Sequence, residues 1–409
     1  MSELKITYVG RRGDGVAQSS NGDFFVPFTL AGEVVEVEGD GKRKQVKSIR
    51  KPSPDRIVPV CEHFGQCGGC NMQHMAEAKY IDWKSELVTR PLRSAGIETQ
   101  IEPLIVFPNA SRRKADFSFL NSAKGPQIGF SEQGSKTVVP LNTCHVLVPE
   151  IVGQLEGFKD LISSLGRSNQ VMRLSVLAAQ NGLDVSIDGL AKLPDEIRQV
   201  LTRKAITHDF KRLSVNGETL LEVERPILSV SDVAVTPPAG GFVQAIEGAE
   251  HKMVELVTGH LSKCRNVVDL YAGMGTFALC LARTAKVLAV EENKSALESL
   301  ERGWRETAGK LKQVKTEARN LERRPLGFKE LKKIDGLVFD PPRAGAELQS
   351  RQIAKSNVGK VAAVSCNPVT LARDLTILME GGYTVTHIQP IDQFKFTPHV
   401  EVVALLERN

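Results

Sequence analysis

No stretch of the 409-residue sequence approaches the roughly 18 consecutive apolar residues that a membrane-spanning helix requires. Its first residues, Met1, Ser2, Glu3, Leu4 and Lys5, lack the apolar core of a secretory signal. No Gly-Lys-Ser/Thr phosphate loop is present, and the one Gly-x-Gly turn that closes a predicted strand lacks the third glycine of a dinucleotide fingerprint. Charge of one sign is in small excess only, 53 Lys and Arg against 48 Asp and Glu, a net +5. That balance is compatible with an anionic partner without requiring one. The expectation is a chain working in a reducing cytoplasm, without a membrane. Seven cysteines there speak for metal or catalysis more than for disulfides.

The composition is that of an ordered globular protein, 41% hydrophobic and 25% charged. A chain of 409 residues is too long for one core, so two or three domains are expected. Residues 1–52 read as an OB-like β-barrel: short runs over 4–9, 23–28 and 33–37 are separated by Gly10, Gly13, Gly15, Gly22 and Gly32. Basic residues gather at Arg11, Arg12, Lys42, Arg43, Lys44, Lys47, Arg50 and Lys51, a rim that suits a nucleic acid or plain solvent. Pro52, Ser53 and Pro54 read as a linker. Residues 53–235 read as an α+β domain, with a helix over 76–95, paired strands over 172–178 and 182–187, and a helix over 194–205. The basic triplet Arg112, Arg113 and Lys114 is either a phosphate contact or a solvated turn. Residues 236–409 alternate strand and helix, the mark of a parallel α/β sheet.

The most compact signal is Cys61, Cys67 and Cys70, a C-x5-C-x2-C spacing with Gly68 and Gly69 in the short loop. Three thiolates so close need a positive centre, and the glycines let the backbone wrap around it. Cys144 is the nearest cysteine downstream and supplies a fourth ligand. Four soft ligands mean zinc or an iron–sulfur cluster. A triplet plus one distant cysteine is more typical of a [4Fe–4S] centre, while His63, His74 and His145 keep zinc open.

In the last domain, a strand over 267–270 ends in Tyr271, Ala272, Gly273, Met274 and Gly275, followed by an apolar helix over 277–285. Glycines there let backbone approach a ligand closely. The next strand, 286–290, ends in Glu291 and Glu292, where an acid suits the ribose hydroxyls of an adenosine cofactor. Glu291 directly follows the strand and is the preferred ligand. Adenosylmethionine fits this pattern better than NAD or ATP. A strand over 334–339 ends in Asp340, Pro341, Pro342 and Arg343, a rigid turn that holds Asp340 at the sheet edge. A buried run over 361–364 ends in Ser365, Cys366, Asn367 and Pro368, before a helix over 370–379. Ligands bind outside the carboxyl ends of such strands, so Cys366 sits where chemistry happens. Segments 384–390 and 400–406 read as a closing hairpin, with Glu401 at the entry of its last strand.

These stretches together resemble the RNA 5-methyluridine methyltransferases, the uracil-C5 class acting on tRNA and large-subunit rRNA. The matching residues are Cys61–Cys70 with Cys144, Phe242-Val243-Gln244, Asp269–Gly275, Asp340–Arg343, Ser365–Asp374 and His399-Val400-Glu401. The barrel resembles the TRAM domain of the family's rRNA branch. The resemblance implies a Rossmann-like class I methyltransferase domain and Cys61, Cys67, Cys70 and Cys144 as [4Fe–4S] ligands. It further implies Gln244, Tyr271, Gly273, Glu291 and Asp340 at S-adenosyl-L-methionine, Cys366 as nucleophile and Glu401 as base. It points to 23S rRNA as the partner, with tRNA or a dual-site enzyme as the alternative, and to a monomer. One departure is visible: where the family usually has Asn two residues after the Gln, this chain has Ile246.

The chemistry needs these groups. Uracil C5 is a poor carbon nucleophile, and a thiolate adding to C6 makes an enolate whose C5 can attack a sulfonium methyl. The C5 proton must then leave to a base, and the target base must be exposed before a thiol can reach it. An RNA-binding protein without catalysis would not require the Cys366 and Glu401 pair. Cytosine C5 methylation also uses a cysteine, but the His-Val-Glu segment and the cysteine set argue against it.

Overall fold

The computed structural model describes residues 2–20, 22–230 and 232–408. In the first fifty residues, Ile6, Ala17, Val26, Val35 and Val37 turn inward into one small core. Two three-stranded antiparallel sheets enclose it: Ser2–Lys5, Val34–Glu38 and Gln45–Lys51, and Tyr8–Val9, Gly15–Ala17 and Phe24–Val26. The run expected as one strand over 4–9 is therefore split. The chain changes sheets at Ile6, whose N–H donates to Glu33 O, and Thr7, whose N–H donates to Val16 O. Gly15 is required by close packing, since a Cβ there would meet Thr29 Oγ1 at 2.1 Å. The basic rim is partly neutralised within the barrel: Arg43 pairs with Asp14 at 2.6 Å, and Arg50 pairs with Glu36.

The middle of the chain forms a seven-stranded sheet in the spatial order Glu218–Glu222, Phe210–Val215, Gly182–Asp188, Ser168–Ala179, Lys114–Ser122, Gly125–Ser131 and Val138–Pro140. Gly182–Asp188 and Phe210–Val215 run parallel, because the helix Asp195–Thr207 crosses between them. The helix Leu155–Ser163 covers one face, where Phe158 packs between Phe117 and Phe210 at ring distances of 6.2 and 5.5 Å. Two members of the basic triplet, Arg113 and Lys114, are not in a solvated turn, while Arg112 lines a cavity. Arg113 is buried and pairs with Glu250 at 2.9 Å, and Lys114 is buried against the carbonyls of Gly240 and Gly241. Both side chains fasten the central sheet to the C-terminal domain.

The C-terminal sheet has seven strands, labelled in chain order: β1 Asn266–Leu270, β2 Lys286–Glu291, β3 Val314–Ala318, β4 Gly336–Phe339, β5 Lys360–Ser365, β6 Tyr383–Ile391 and β7 Glu401–Arg408. Their spatial order is β3-β2-β1-β4-β5-β7-β6, with β1 to β5 parallel and β7 antiparallel to both neighbours. The order reverses at β1 and β4, which opens a crevice at their carboxyl ends. The expected hairpin of the last two strands is present, but β7 inserts between β5 and β6.

The segment 71–105 packs on this last sheet rather than on the central one. The helix Glu77–Ser94 puts Tyr80, Trp83, Leu87, Val88 and Leu92 into one core with β1, β4 and the helix Pro368–Glu380. Ile101 and Ile105 then run alongside Ile388 and Ile391 of β6. A helix with so wide an apolar face must be covered, and the helix Pro368–Glu380 offers the matching surface.

Candidate active site

β5 ends at Ser365 and β7 begins at Glu401, paired antiparallel with Ser365 opposite Val402. That register sets Cys366 beside Glu401. Asn367 then accepts the N–H of Val369 at 3.2 Å and Pro368 occupies the first helical turn, so the helix starts immediately after the thiol. Cys366 therefore stands at a helix start, at the rim of a cavity of about 460 Å³.

Glu401 is 3% exposed and belongs to a chain of side-chain hydrogen bonds. Its Oε2 accepts from Gln393 Nε2 at 2.5 Å. Gln393 Nε2 also donates to Gln244 Oε1 at 3.0 Å, and Gln244 Nε2 donates to Asp340 Oδ2 at 3.1 Å. One network thus joins the ends of β4 and β7 to the stretch before the helix Glu247–His260. Burial holds the Glu401 carboxyl well above the usual range, with the Asp340 charge adding to it, and burial raises Asp340 likewise against the Gln244 hydrogen bond. The Cys366 thiol is pushed up to about 11, by burial first and then by Glu401 and Asp340, while Arg343 pulls the other way. Burial and the mutual repulsion of Glu401 and Asp340 thus favour the neutral thiol and neutral acids, and the Arg343 guanidinium favours the ionised thiol.

The Gly-rich turn lies at the end of β1. Tyr271 holds φ +62 and Gly273 φ +53, left-handed backbone in which a tyrosine is rare. Such strain concentrates at ligand sites and folds the chain away from the strand. Glu291, at the end of β2, accepts the Gly273 N–H at 3.0 Å, and its other oxygen accepts the N–H groups of Glu292 and Asn293. Glu292 instead accepts from Asn320 Nδ2, away from the turn. The expected helix over 277–285 is regular only over Ala278–Leu281. Ile246 is buried in the apolar core and stands at the N-cap of Glu247–His260, which begins without a side-chain cap.

Around the same cavity stand Cys61, Cys67, Cys70 and Cys144, with His63 and His145 also on the wall. Gly68 is held in place by backbone: a Cβ there would meet Ser131 O at 2.5 Å. His74 is turned away, fully buried against Phe28 and Phe64. Among the described residues no three His, Cys, Asp or Glu side chains converge as ligands of a single metal ion.

Gln393 is the member of this network that the sequence pattern did not single out. It is buried, between β6 and β7, in a loop braced from outside the sheet. The buried Lys84 ammonium pairs with Asp392 at 2.7 Å and donates to the carbonyls of Phe394 and His399. Tyr80 donates to Asp392 Oδ2 at 2.7 Å and accepts the Phe396 N–H at 2.8 Å. The available signal was one lysine on the apolar face of the helix expected over 76–95, four residues from Tyr80. Arg343 closes the Asp-Pro-Pro-Arg turn, and its guanidinium meets the His399 ring where both line the cavity.

The family model for tRNA (Uracil-5-)-methyltransferase matches residues 222–409, which contain β1–β7 and every residue of this network. The chain is 43% identical over 412 residues to an uncharacterized RNA methyltransferase of Agrobacterium fabrum, covering 99% of both chains. It is 29% identical to the 23S rRNA (uracil(1939)-C(5))-methyltransferase RlmD of Shewanella denitrificans, covering 99% of this chain and 95% of that one. Its fold matches the crystal structure of Pyrococcus abyssi tRNA (uracil-54, C5)-methyltransferase in complex with S-adenosyl-L-homocysteine, with TM-score 0.77, 23% identity and coverage of 99% and 100%. The chain belongs to the RNA 5-methyluridine (uracil-C5) methyltransferase family.

Proposed function

We propose that the protein methylates C5 of a uridine in 23S rRNA, with S-adenosyl-L-methionine as methyl donor, through a covalent adduct between Cys366 and C6. The observation that carries this reading is the juxtaposition of Cys366 with Glu401, two chemically complementary groups on adjacent antiparallel strands at the crevice of the sheet. The donor supplies an electrophilic methyl group. Gly273, Glu291 and the strained Tyr271 form its cradle, and Gln244 and Asp340 stand between that cradle and Cys366. Cys366, its S–H proton lost to solvent, adds as thiolate to C6 and opens the C5=C6 double bond to an enolate, whose C5 takes the methyl group as the donor's sulfur–methyl bond breaks. Glu401 as carboxylate then accepts the C5 proton, the S–C6 bond breaks, and the C5=C6 double bond re-forms. The rRNA target is supported by the 23S rRNA methyltransferase among the relatives; a tRNA uridine is the alternative, since the matching family model is described by tRNA.

Cys61, Cys67, Cys70 and Cys144 would hold a [4Fe–4S] cluster. Four cysteines lining one cavity are the donor set of such a centre, and His63 and His145 beside them keep zinc as the alternative. The cluster would tie the 61–70 loop to Cys144 and shape the cavity wall that faces the RNA. Zinc without iron in anaerobically purified protein would remove the cluster.

The test of the main reading is methyl transfer from labelled donor to unmodified rRNA and tRNA, with the methylated nucleotide mapped. The expected result is one 5-methyluridine in rRNA, and no transfer by Cys366→Ala. Full activity of that variant would end the covalent mechanism, and a site in tRNA would shift the substrate.

A further inference from the structure

Gln393 is 2% exposed, and both hydrogens of its amide nitrogen are committed, one to Gln244 Oε1 and one to Glu401 Oε2. With Asp340 ionised Gln244 cannot reverse, because its own nitrogen is held by Asp340 Oδ2. With Glu401 ionised, the state in which it acts as a base, rotating the Gln393 amide would set oxygen against oxygen twice. Its orientation is therefore fixed, and Gln393 Oε1 is left as a buried acceptor without a partner, next to the equally unpartnered Glu401 Oε1. Buried acceptors of this kind are normally satisfied, so one that is held open by its neighbours is aimed at a ligand donor.

We infer that Gln393 is a specificity-determining residue that selects uracil over cytosine, its Oε1 accepting the N3–H of the flipped pyrimidine while its Nε2 holds Glu401 toward C5. This rests on the uridine C5 reading above. The two rings differ in hydrogen-bonding sense along this edge. Uracil presents N3 as a donor, and cytosine presents N3 as a bare acceptor. A fixed acceptor therefore pairs with the first and faces a lone pair of the second. Rejection by an unpaired buried group is the strong form of discrimination, because the wrong base leaves the protein's own polar atom unsatisfied. The brace of Lys84, Tyr80 and Asp392 gives the loop the rigidity that such selection requires. A residue serving two neighbours with one amide also couples base choice to placement of Glu401.

The experiment uses the full-length protein and a transcript carrying either uridine or 3-deazauridine at the mapped methylation site. In 3-deazauridine a C–H replaces the N3–H donor. For the wild type, the exchange is expected to lower kcat/KM by at least about tenfold. In Gln393→Met, which fills the same space without an acceptor, the same exchange is expected to cost little, so the two penalties are not additive. Gln393→Glu keeps an acceptor oxygen but loses both donors. It is expected to turn over more slowly and to keep the 3-deazauridine penalty, and it decides the matter should Gln393→Met not fold. Equal penalties in wild type and Gln393→Met, no penalty in wild type, loss of the penalty in Gln393→Glu, or a raised KM for the methyl donor alone would each overturn the assignment. A wild type that methylates no uridine would instead overturn the underlying reading, and this inference with it.

Discussion

One lone thiol, Cys366, and a set of four, Cys61, Cys67, Cys70 and Cys144, line the same cavity. Cys366 is pushed up to about 11 by burial, then by Glu401 and Asp340; Cys70 is pushed up to about 12 by burial, with Gln73 opposing and the other cluster-loop thiols adding to it. The shifts are alike, so the shift does not separate a nucleophile from a ligand. The neighbours do. Cys366 stands alone at a strand end, with a cation, Arg343, and a network of buried acids linked by two glutamine amides. Cys67, Cys70 and Cys144 are raised by burial and by one another's charge, with the Arg112 guanidinium opposing at Cys144. Cys366 adjoins buried acids that can exchange protons with it, whereas burial makes Cys67, Cys70 and Cys144 keep theirs.

The sharpest way to break this comparison is to disable the proton acceptor while leaving the thiol. Glu401→Gln is expected to lower turnover about 10²–10⁴-fold, because the methylated adduct forms and cannot eliminate. Incubation with RNA and methyl donor should then give a covalent protein–RNA species on a denaturing gel, absent from Cys366→Ala. Near-normal turnover would mean that the C5 proton leaves by another route and that Cys366 and the four cysteines differ less than their neighbours suggest.

A second measurement probes the four-cysteine set. Cys144→Ser is expected to abolish iron binding and to lower the thermal midpoint by about 10 °C, taking ~4 kcal/mol for a lost metal ligand at ~2–4 °C per kcal/mol. Alkylation of Cys366, followed by mass spectrometry, should keep its wild-type rate. A large change in that rate would show that the four-cysteine set tunes the nucleophile.

Strand ends made these members of the candidate site legible in the sequence. Cys366, Asp340, Gly273 and Glu291 each follow an apolar run, and the parallel topology brings those ends to one edge. Gln393 escaped because its loop has no periodicity, and its role exists only once β7 inserts between β5 and β6. The segment 71–105 escaped for a related reason. Its helix is readable from spacing, but what covers the apolar face depends on Lys84 finding Asp392, 308 residues away in the chain. Arg113 and Lys114 gave no sign in sequence of being buried, since only the approach of Glu250 and the 240–241 carbonyls makes burial tolerable. The splitting of the first barrel strand at Ile6 was likewise invisible, because both halves carry the same residue types.

The smallest expected effect concerns the stability of the acid network itself. Burial raises the folded-state pKa of Glu401 above its unfolded value, near 4.5. The protonated carboxyl therefore favours the fold fully below that unfolded value. The contribution is lost as the pH rises through the folded pKa, because the unfolded chain releases the proton more readily. Gln at 401 carries no such charge. Wild type and Glu401→Gln are thus expected to melt at similar temperatures at acid pH, and the variant to melt higher, by a few degrees, in alkaline buffer. Because Asp340 shares the network and is raised too, Asp340→Asn should move the midpoint in the same direction, and the double variant by less than the sum. A wild type more stable than Glu401→Gln at alkaline pH would mean that the carboxylate is satisfied in the resting protein, and that the acid network beside Cys366 is as settled as the four-cysteine set.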